Sequence, residues 1–120
     1  MIKTVFDLDV FKISYAIAMD IFKLTRNFPK EERYSLTDQI VRSSRSVSAN
    51  IAEGWGKRIY ENEFKRHLIY SMGSLEETKI WLHFSRDCSY INQEKFILIE
   101  KKLDEAGAKI YKLHENWRKL

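Results

Sequence analysis

The hydrophobic and polar positions of residues 36–56 predict a helix that packs at the centre of the fold. Apolar residues recur there at helical spacing, with small serines filling the gap between them: Leu36, Ile40, Val47 and Ile51. Small side chains allow neighbouring helices to approach closely, and this segment carries them on several sides. A second stripe is polar, and its members point the same way on a helix: Gln39, Arg42, Ser46, Asn50 and Glu53. If another helix covers that face, each of those polar groups needs a partner.

Three further helices are predicted from the same periodicity. The first runs from near residue 7 or 9 to residue 27, just before Pro29, and the third spans roughly residues 60–88. The last helix is capped by Asn92 and carries the most regular apolar pattern: Phe96, Ile99, Leu103, Ala106, Ile110, Leu113 and Trp117. Four helices joined by short turns predict an all-α fold, an antiparallel up-down-up-down four-helix bundle that occupies residues 1–120 as a single domain.

Local signals predict how these helices begin, end and touch. Ser35 and Asp38, three residues apart, indicate a capping box at the start of the second helix. Gly54-Trp55-Gly56 is expected to end the second helix, because glycine tolerates the left-handed conformation that closes helices. Gly73-Ser74 lies inside the third helix, where glycine costs about 1 kcal/mol relative to alanine. We therefore expect the backbone of the central helix to approach closely at Gly73-Ser74.

Two helices carry more apolar surface than one small bundle needs. The first has two apolar stripes, one of which contains Ile17 and Ile21. The third places Tyr70, Trp81 and Phe84 off its core-facing stripe. A helix that is apolar around more than half its circumference lies in the middle of a fold or shares a face with another chain. The pattern predicts a homo-oligomer, and we expect Ile17, Ile21 and Trp81 to contribute to its contacts.

Composition narrows the class of protein. Lys and Arg number 21 against 17 Asp and Glu, which gives a formal net charge of +4. The single cysteine, Cys88, excludes an internal disulfide and favours a reducing, cytoplasmic setting. We expect the Cys88 side chain to be buried or half-buried. No uninterrupted apolar segment has the length of a membrane span, so no membrane association is predicted.

The sequence carries no recognisable catalytic constellation. The three histidines are isolated from one another and are interpreted as partly exposed surface residues, not metal ligands: His67, His83 and His114. Glu53, Glu61 and Glu63 leave a magnesium-dependent nuclease as a minor alternative, since carboxylates near a helix turn are more often solvated or ion-paired. We predict a protein that is not an enzyme and uses no metal, cofactor or small-molecule substrate.

Basic residues give the most suggestive functional pattern. Their excess is concentrated in the second helix, in the turn after it and at the start of the third helix: Arg42, Arg45, Lys57, Arg58, Lys65 and Arg66. A second group lies toward the C-terminus: Lys101, Lys102, Lys109, Lys112, Arg118 and Lys119. Such residues either contact phosphates or form an ordinary solvated helical surface, and both interpretations stay open.

The polar stripe of the central helix has a structural and a functional interpretation. Gln39, Asn50 and Glu53 are interpreted first as a structural polar network that ties down donors of a neighbouring helix or subunit. The alternative is that Asn50 and Glu53 bind a ligand or nucleotide at the end of the bundle. The small residues around them favour packing, and hence the structural interpretation.

Residues 42–56, which end in ANIAEGWG, resemble a known family when they are taken with FPKEERYSL at residues 28–36 and GSLEE at residues 73–77. The family comprises bacterial four-helix bundle proteins encoded in 23S ribosomal RNA intervening sequences. The resemblance covers most of the chain. It implies a ring-shaped homopentamer, as in the related accessory proteins of diversity-generating retroelements. Five copies would carry a formal charge of about +20, five times +4.

Together these observations predict a non-enzymatic, basic, homo-oligomeric adaptor or assembly protein that binds structured RNA or DNA through phosphate contacts. Base-specific recognition is not predicted, because no aromatic-basic RNA-reading motif or recognition-helix pattern is present. The main alternative is a structural or protein-binding scaffold with no nucleic-acid role.

Overall fold

The computed structural model describes residues 1–118, which form a bundle of four helices. In chain order the helices are α1 (Asp9–Thr25), α2 (Leu36–Gly56), α3 (Glu61–Asp87) and α4 (Gln93–Asn116). A 3₁₀ turn, Val5–Asp7, precedes α1, and a second, Lys30–Glu32, lies between α1 and α2. The predicted all-α four-helix bundle is confirmed, with helix ends within about two residues of those expected. Lys119, one of the predicted basic residues, lies outside the described residues.

Contacts between the helices show that neighbours run antiparallel. Ser71 of α3 bonds to the Val47 carbonyl of α2, and Thr78 bonds to Ser43, so residue numbers rise in one helix as they fall in the other. Ion pairs give the same relation for α1 with α4 and for α3 with α4: Asp9–Lys109, Asp20–Lys102, Lys79–Asp104 and His83–Glu100. The bundle is therefore up-down-up-down, and α1 and α3 occupy diagonally opposite corners.

The core runs the length of the bundle and takes side chains from all four helices. Its fully enclosed large apolar residues are Ile21, Ile40, Ile51, Phe64, Leu68, Leu75, Leu82, Leu103 and Ile110. Burial of one such side chain stabilises a fold by about 1.5–3 kcal/mol. The shared core therefore fixes the positions of the four helices.

Part of the apolar surface that was expected to contact another chain is buried in the core of this one. Ile17 is 4% exposed and Ile21 is 0% exposed. α1 packs against both α2 and α4, so two of its stripes face the core. Trp81 is half-buried against the core and donates its indole N–H to Glu77 at 3.0 Å. The expectation that Ile17 and Ile21 form a contact surface is therefore wrong.

Other large apolar side chains remain exposed. On the three helices α1, α3 and α4 their exposed fractions lie between 40% and 58%: Tyr15, Met19, Ile69, Tyr70, Ile80, Phe84, Ile97, Leu98 and Tyr111. Tyr70 and Phe84 are among those that the sequence placed off the core stripe. The chain thus carries unburied apolar area at the α1 corner and at the opposite α3 corner.

The starts of α2 and α4 are held by side chains that precede each helix. Asn92 accepts a hydrogen bond from the Lys95 N–H at 2.7 Å and caps α4, as predicted. Ser35 does not cap α2, because its hydroxyl donates to Glu32. The Glu32 carboxylate accepts the Leu36 N–H at 3.2 Å. The capping-box expectation is wrong because the first free N–H of α2 is paired with a carboxylate from the 3₁₀ turn.

The surroundings of Gly73 and Cys88 also differ from expectation. No atom lies within 4 Å of the position that a Cβ would take at Gly73. Gly73 is exposed on the outer side of α3, while Ser71 and Leu75 face inward. Cys88 is exposed because it follows the last residue of α3, at the end of the bundle. The expected close approach is therefore wrong at Gly73, although the adjacent Ser74 does contact α2, through the hydroxyl of Ser46 at 2.8 Å. The expected burial of Cys88 is wrong.

Tyr90 joins the two turns that lie at one end of the bundle. Its hydroxyl donates to Glu32 Oε2 at 2.8 Å, and its ring packs against Phe28 with centroids 5.4 Å apart. Hydrogen bonds from Ser35 and Tyr90 lower the pKa of Glu32. The bond to Glu32 raises the pKa of Tyr90 to about 12. The ionised carboxylate is thus the form that holds the turns together.

Tyr90→Phe is expected to destabilise the protein at neutral pH, because it removes this hydrogen bond and keeps the ring. The deficit should shrink as the pH falls below the ordinary Glu32 value of 4.5 and through the lowered folded-state pKa, where Glu32 becomes protonated. Chemical denaturation of both proteins at neutral and acidic pH measures the difference. A deficit that does not change with pH would show that ionised Glu32 is not the partner.

Candidate nucleic-acid interface

Hydroxyl-bearing side chains line the contact between α2 and α3. Ser71 Oγ donates to a carbonyl of α2 at 2.7 Å, and Thr78 Oγ1 donates to Ser43 Oγ at 2.8 Å, all three side chains being buried. Nearer the surface, the hydroxyls of Ser46 and Ser74 lie 2.8 Å apart. Hydroxyl groups therefore find partners across the α2–α3 contact, and the two helices pack closely.

His67 joins the polar groups near the α2–α3 turn. It is 5% exposed, with Nδ1 3.2 Å from Asn50 Oδ1 and Nε2 3.1 Å from Lys57 Nζ. Because a lysine ammonium only donates, Nε2 accepts, and Nδ1 carries the proton that is donated to Asn50. Glu53 Oε2 lies 3.8 Å from Nε2. The expectation that His67 is a partly exposed surface residue is therefore wrong.

Two residues of the predicted structural polar network meet at His67, and the third does not. Asn50 also donates from its amide nitrogen to the Ser46 carbonyl at 3.0 Å, which fixes its orientation. Gln39 is exposed about three helical turns before Asn50, and its side chain makes no hydrogen bond within the described chain. The structure thus brings Asn50 and Glu53 together around a histidine that sequence reasoning did not include.

Gly54 makes room for His67. A Cβ at Gly54 would lie 2.7 Å from His67 Cβ and 3.3 Å from the Phe64 carbonyl oxygen. Gly54 is helical, and no glycine of residues 1–118 has a positive φ. The expected helix end at Gly54-Trp55-Gly56 is confirmed, since α2 ends at Gly56, but the expected left-handed glycine is wrong. The missing side chain of Gly54 is what allows the ends of α2 and α3 to touch.

Most of the six predicted basic residues lie beside acids. Four pair with a carboxylate three or four positions earlier: Arg42 with Asp38 at 3.8 Å, Lys57 with Glu53 at 3.6 Å, Lys65 with Glu61 at 3.8 Å and Arg66 with Glu63 at 3.8 Å. Such exposed pairs stabilise a helix by about 0–1 kcal/mol. Their larger consequence is that the local positive charge is partly cancelled.

Arg45 and Arg58 have ring partners and form no ion pair within residues 1–118. The Arg58 guanidinium lies 4.0 Å from the Trp55 ring centroid and donates to the Trp55 carbonyl at 2.8 Å. It lines an open cleft of about 700 Å³ with Leu113 and Trp117 at the end of the bundle. The Arg45 guanidinium lies over Phe22 of α1, 5.5 Å from the centroid.

The six residues do not form one cluster. Lys57 and Arg58 lie in the α2–α3 turn, and Lys65 and Arg66 lie in the first turns of α3. Arg45 precedes Lys57 by twelve residues, which is about 18 Å along a helix. The basic surface therefore has one part near the α2–α3 turn and another near the middle of α2.

Arg26 is a basic residue that sequence reasoning missed. It caps the end of α1, and its guanidinium carbon lies 5.0 Å from the same Phe22 centroid that Arg45 approaches. Phe22 and Arg26 are four residues apart on a helix, a spacing that could have indicated the contact. The approach of Arg45 depends on how α2 packs on α1, so no local spacing indicates it.

The C-terminal basic group serves partly to join helices. Lys102 bonds to Asp20 and Lys109 to Asp9, both at 2.9 Å, so these lysines link α4 to α1. Arg118 donates to the carbonyl of Trp117. Three members of the group are exposed and form no ion pair in the described chain: Lys101, Lys112 and Arg118.

The metal-ligating side chains of the described chain are dispersed. Between residues 1 and 118, no group of three or more His, Cys, Asp or Glu side chains is placed to hold a metal ion. Glu53, one of the three carboxylates of the nuclease alternative, lies beside Lys57 and His67. No helix in this part of the chain is long and apolar enough to cross a membrane.

The fold and surface define a class: all-α four-helix bundle proteins with a close, hydroxyl-lined α2–α3 contact and a basic, partly ion-paired surface. The chain belongs to the 23S rRNA-intervening sequence protein family, whose model matches residues 6–112. This confirms the family resemblance. No curated protein matches this chain.

A solved structure shares the fold. It is the crystal structure of a protein with unknown function from the S23 ribosomal protein family of Bacteroides thetaiotaomicron. The two chains superpose with a TM-score of 0.81 and are 24% identical, and the match covers 89% of this chain and 96% of that one. At this identity the likeness establishes the bundle architecture.

Proposed function

We propose that this protein is a non-enzymatic, basic, homo-oligomeric assembly protein of the cytoplasm that binds structured RNA or DNA through phosphate contacts. The proposal of nucleic-acid binding rests on one observation. The guanidinium groups of Arg45 and Arg58 are exposed and form no ion pair within residues 1–118. A net charge of +4 per chain, repeated in an oligomer, attracts a polyanion without reading its sequence.

The exposed apolar side chains support assembly with further copies of this chain. Tyr15 and Met19 lie on α1, and Tyr70 and Phe84 lie on α3 at the opposite corner. Two different apolar faces permit a head-to-tail contact, in which the α1 corner of one copy meets the α3 corner of the next. Such contacts close into a ring when the rotation allows it. We propose five copies because the family resemblance implies a pentamer.

A scaffold that never touches nucleic acid is the second candidate function. It is favoured by the ion pairs at Arg42, Lys57, Lys65 and Arg66, which leave these four groups with less charge to offer a phosphate. Under this alternative the basic residues stabilise helices, and the apolar corners bind protein partners.

Salt dependence distinguishes the two candidates. Wild-type protein is expected to bind a labelled nucleic-acid duplex of arbitrary sequence at low ionic strength. The logarithm of the binding constant should fall linearly with the logarithm of salt concentration, by about 0.9 per phosphate contacted on duplex DNA. Fluorescence anisotropy over a salt series measures this slope. Absence of binding at low salt, or binding that salt does not weaken, would contradict phosphate recognition and favour the scaffold.

A further inference from the structure

We propose that Arg26, Phe22 and Arg45, here named the Arg26–Phe22–Arg45 cluster, are a contact point for the phosphodiester backbone of a nucleic acid. This inference rests on the proposed function and assigns it to specific residues. The two guanidinium carbons lie 5.0 Å and 5.5 Å from one ring centroid, although their residues belong to different helices. Both arginines are exposed, and Phe22 is half-buried.

The two guanidinium groups of the cluster remain available to bind an anion. Neither arginine side chain forms an ion pair or a hydrogen bond within residues 1–118, in contrast with Arg42 and Arg66. The two guanidinium carbons are at most about 10.5 Å apart, the sum of their distances to the centroid. Even this upper limit is close to the screening length of about 8–10 Å at ordinary salt, so an anion that lies between the two guanidinium groups is attracted by both charges.

The ring positions the two cations for an anionic ligand. A guanidinium that lies over an aromatic ring is restricted by a cation–π contact, which uses none of its N–H donors in a protein hydrogen bond. Planar N–H forks match the oxygens of a phosphate and can bind them in pairs. Because Phe22 is already in contact with arginines, we expect backbone contacts and no base stacking. The cluster therefore adds affinity without sequence preference.

A pair of double variants tests this assignment. Arg26→Gln with Arg45→Gln removes the cluster, while Arg42→Gln with Arg66→Gln removes the same number of charges from exposed, ion-paired positions. The probes are a labelled RNA duplex and a DNA duplex of the same arbitrary sequence. We expect the first variant to bind at least about tenfold more weakly, with the DNA salt slope reduced by about 0.9 for each arginine engaged. The second should lose distinctly less affinity and keep its slope.

A single variant tests how much the Phe22 ring contributes to affinity, separately from the two charges. Phe22→Leu keeps both arginines and most of the apolar volume, so an intermediate loss of affinity is expected from the loss of positioning. Circular dichroism shows whether each variant stays folded. Equal weakening by the two double variants, with wild-type binding intact, would overturn the cluster and leave the proposed function standing. No binding by wild-type protein at low salt would overturn both.

Discussion

Replacing Gly54 by alanine is expected to lower the free energy of unfolding by about 1–3 kcal/mol, the range seen when a packed contact is overfilled. The new Cβ would lie 2.7 Å from His67 Cβ and 3.1 Å from Phe64 Cδ1. The first of these atoms is next to the backbone and the carbonyl oxygen of Phe64 is also close, so α2 and α3 must separate. That separation also disturbs the His67 bonds to Asn50 and Lys57.

Gly73→Ala is the matched control. It makes the same chemical change inside a helix, but no atom lies within 4 Å of the new Cβ. Alanine should therefore stabilise the helix by about 0.5–1 kcal/mol relative to glycine. Urea denaturation at one fixed protein concentration measures both variants, since the stability of an oligomer depends on concentration. If both alanines stabilise equally, the close contact at Gly54 does not exist.

The fold could be predicted because its signals are local. Apolar residues at helical spacing, Pro29 and Asn92 set the helices, and the structure places their ends almost where expected. The functions of single residues were harder to predict. Gly54 has the sequence signature of a helix end, yet its role is set by His67 on another helix. Likewise, two stripes on α1 look like surplus surface until α2 and α4 both pack against them.

The contacts of the candidate site are likewise of two kinds, those that local spacing predicts and those that depend on how the helices pack. The pairing of Lys57 with Glu53 or Arg66 with Glu63 follows from spacings of four and three residues, and could have been read from the sequence. The meeting of Arg26 with Arg45 on Phe22 joins two helices and requires the packed structure. Charge counted along a chain therefore overstates the charge available to a ligand, and only contacts show which cations remain unpaired.

Phe84→Glu is expected to dissociate the proposed assembly into single chains. Phe84 is 52% exposed in one chain and packs beside Trp81 at the α3 corner, with ring centroids 5.8 Å apart. A glutamate there can reach solvent in the single chain, so the bundle should stay folded. Between two copies, however, the carboxylate would be buried without a partner, at a cost of several kcal/mol. Sedimentation velocity measures the resulting loss of mass.

Tyr34→Glu controls for the added charge. Tyr34 is 86% exposed, lies between α1 and α2, and belongs to neither apolar corner. Its variant carries the same new acid but should keep the wild-type mass. If Phe84→Glu also keeps that mass, the α3 corner is not a contact between copies.

The molar mass of the wild-type protein, measured by light scattering over rising concentration, tests most directly whether copies of this chain assemble. One chain has a mass of 14.4 kDa, so a closed ring of five predicts about 72 kDa, five times that value. A mass that stays at 14.4 kDa at the highest concentration would contradict the assembly, and with it the repeated basic surface proposed to bind phosphates.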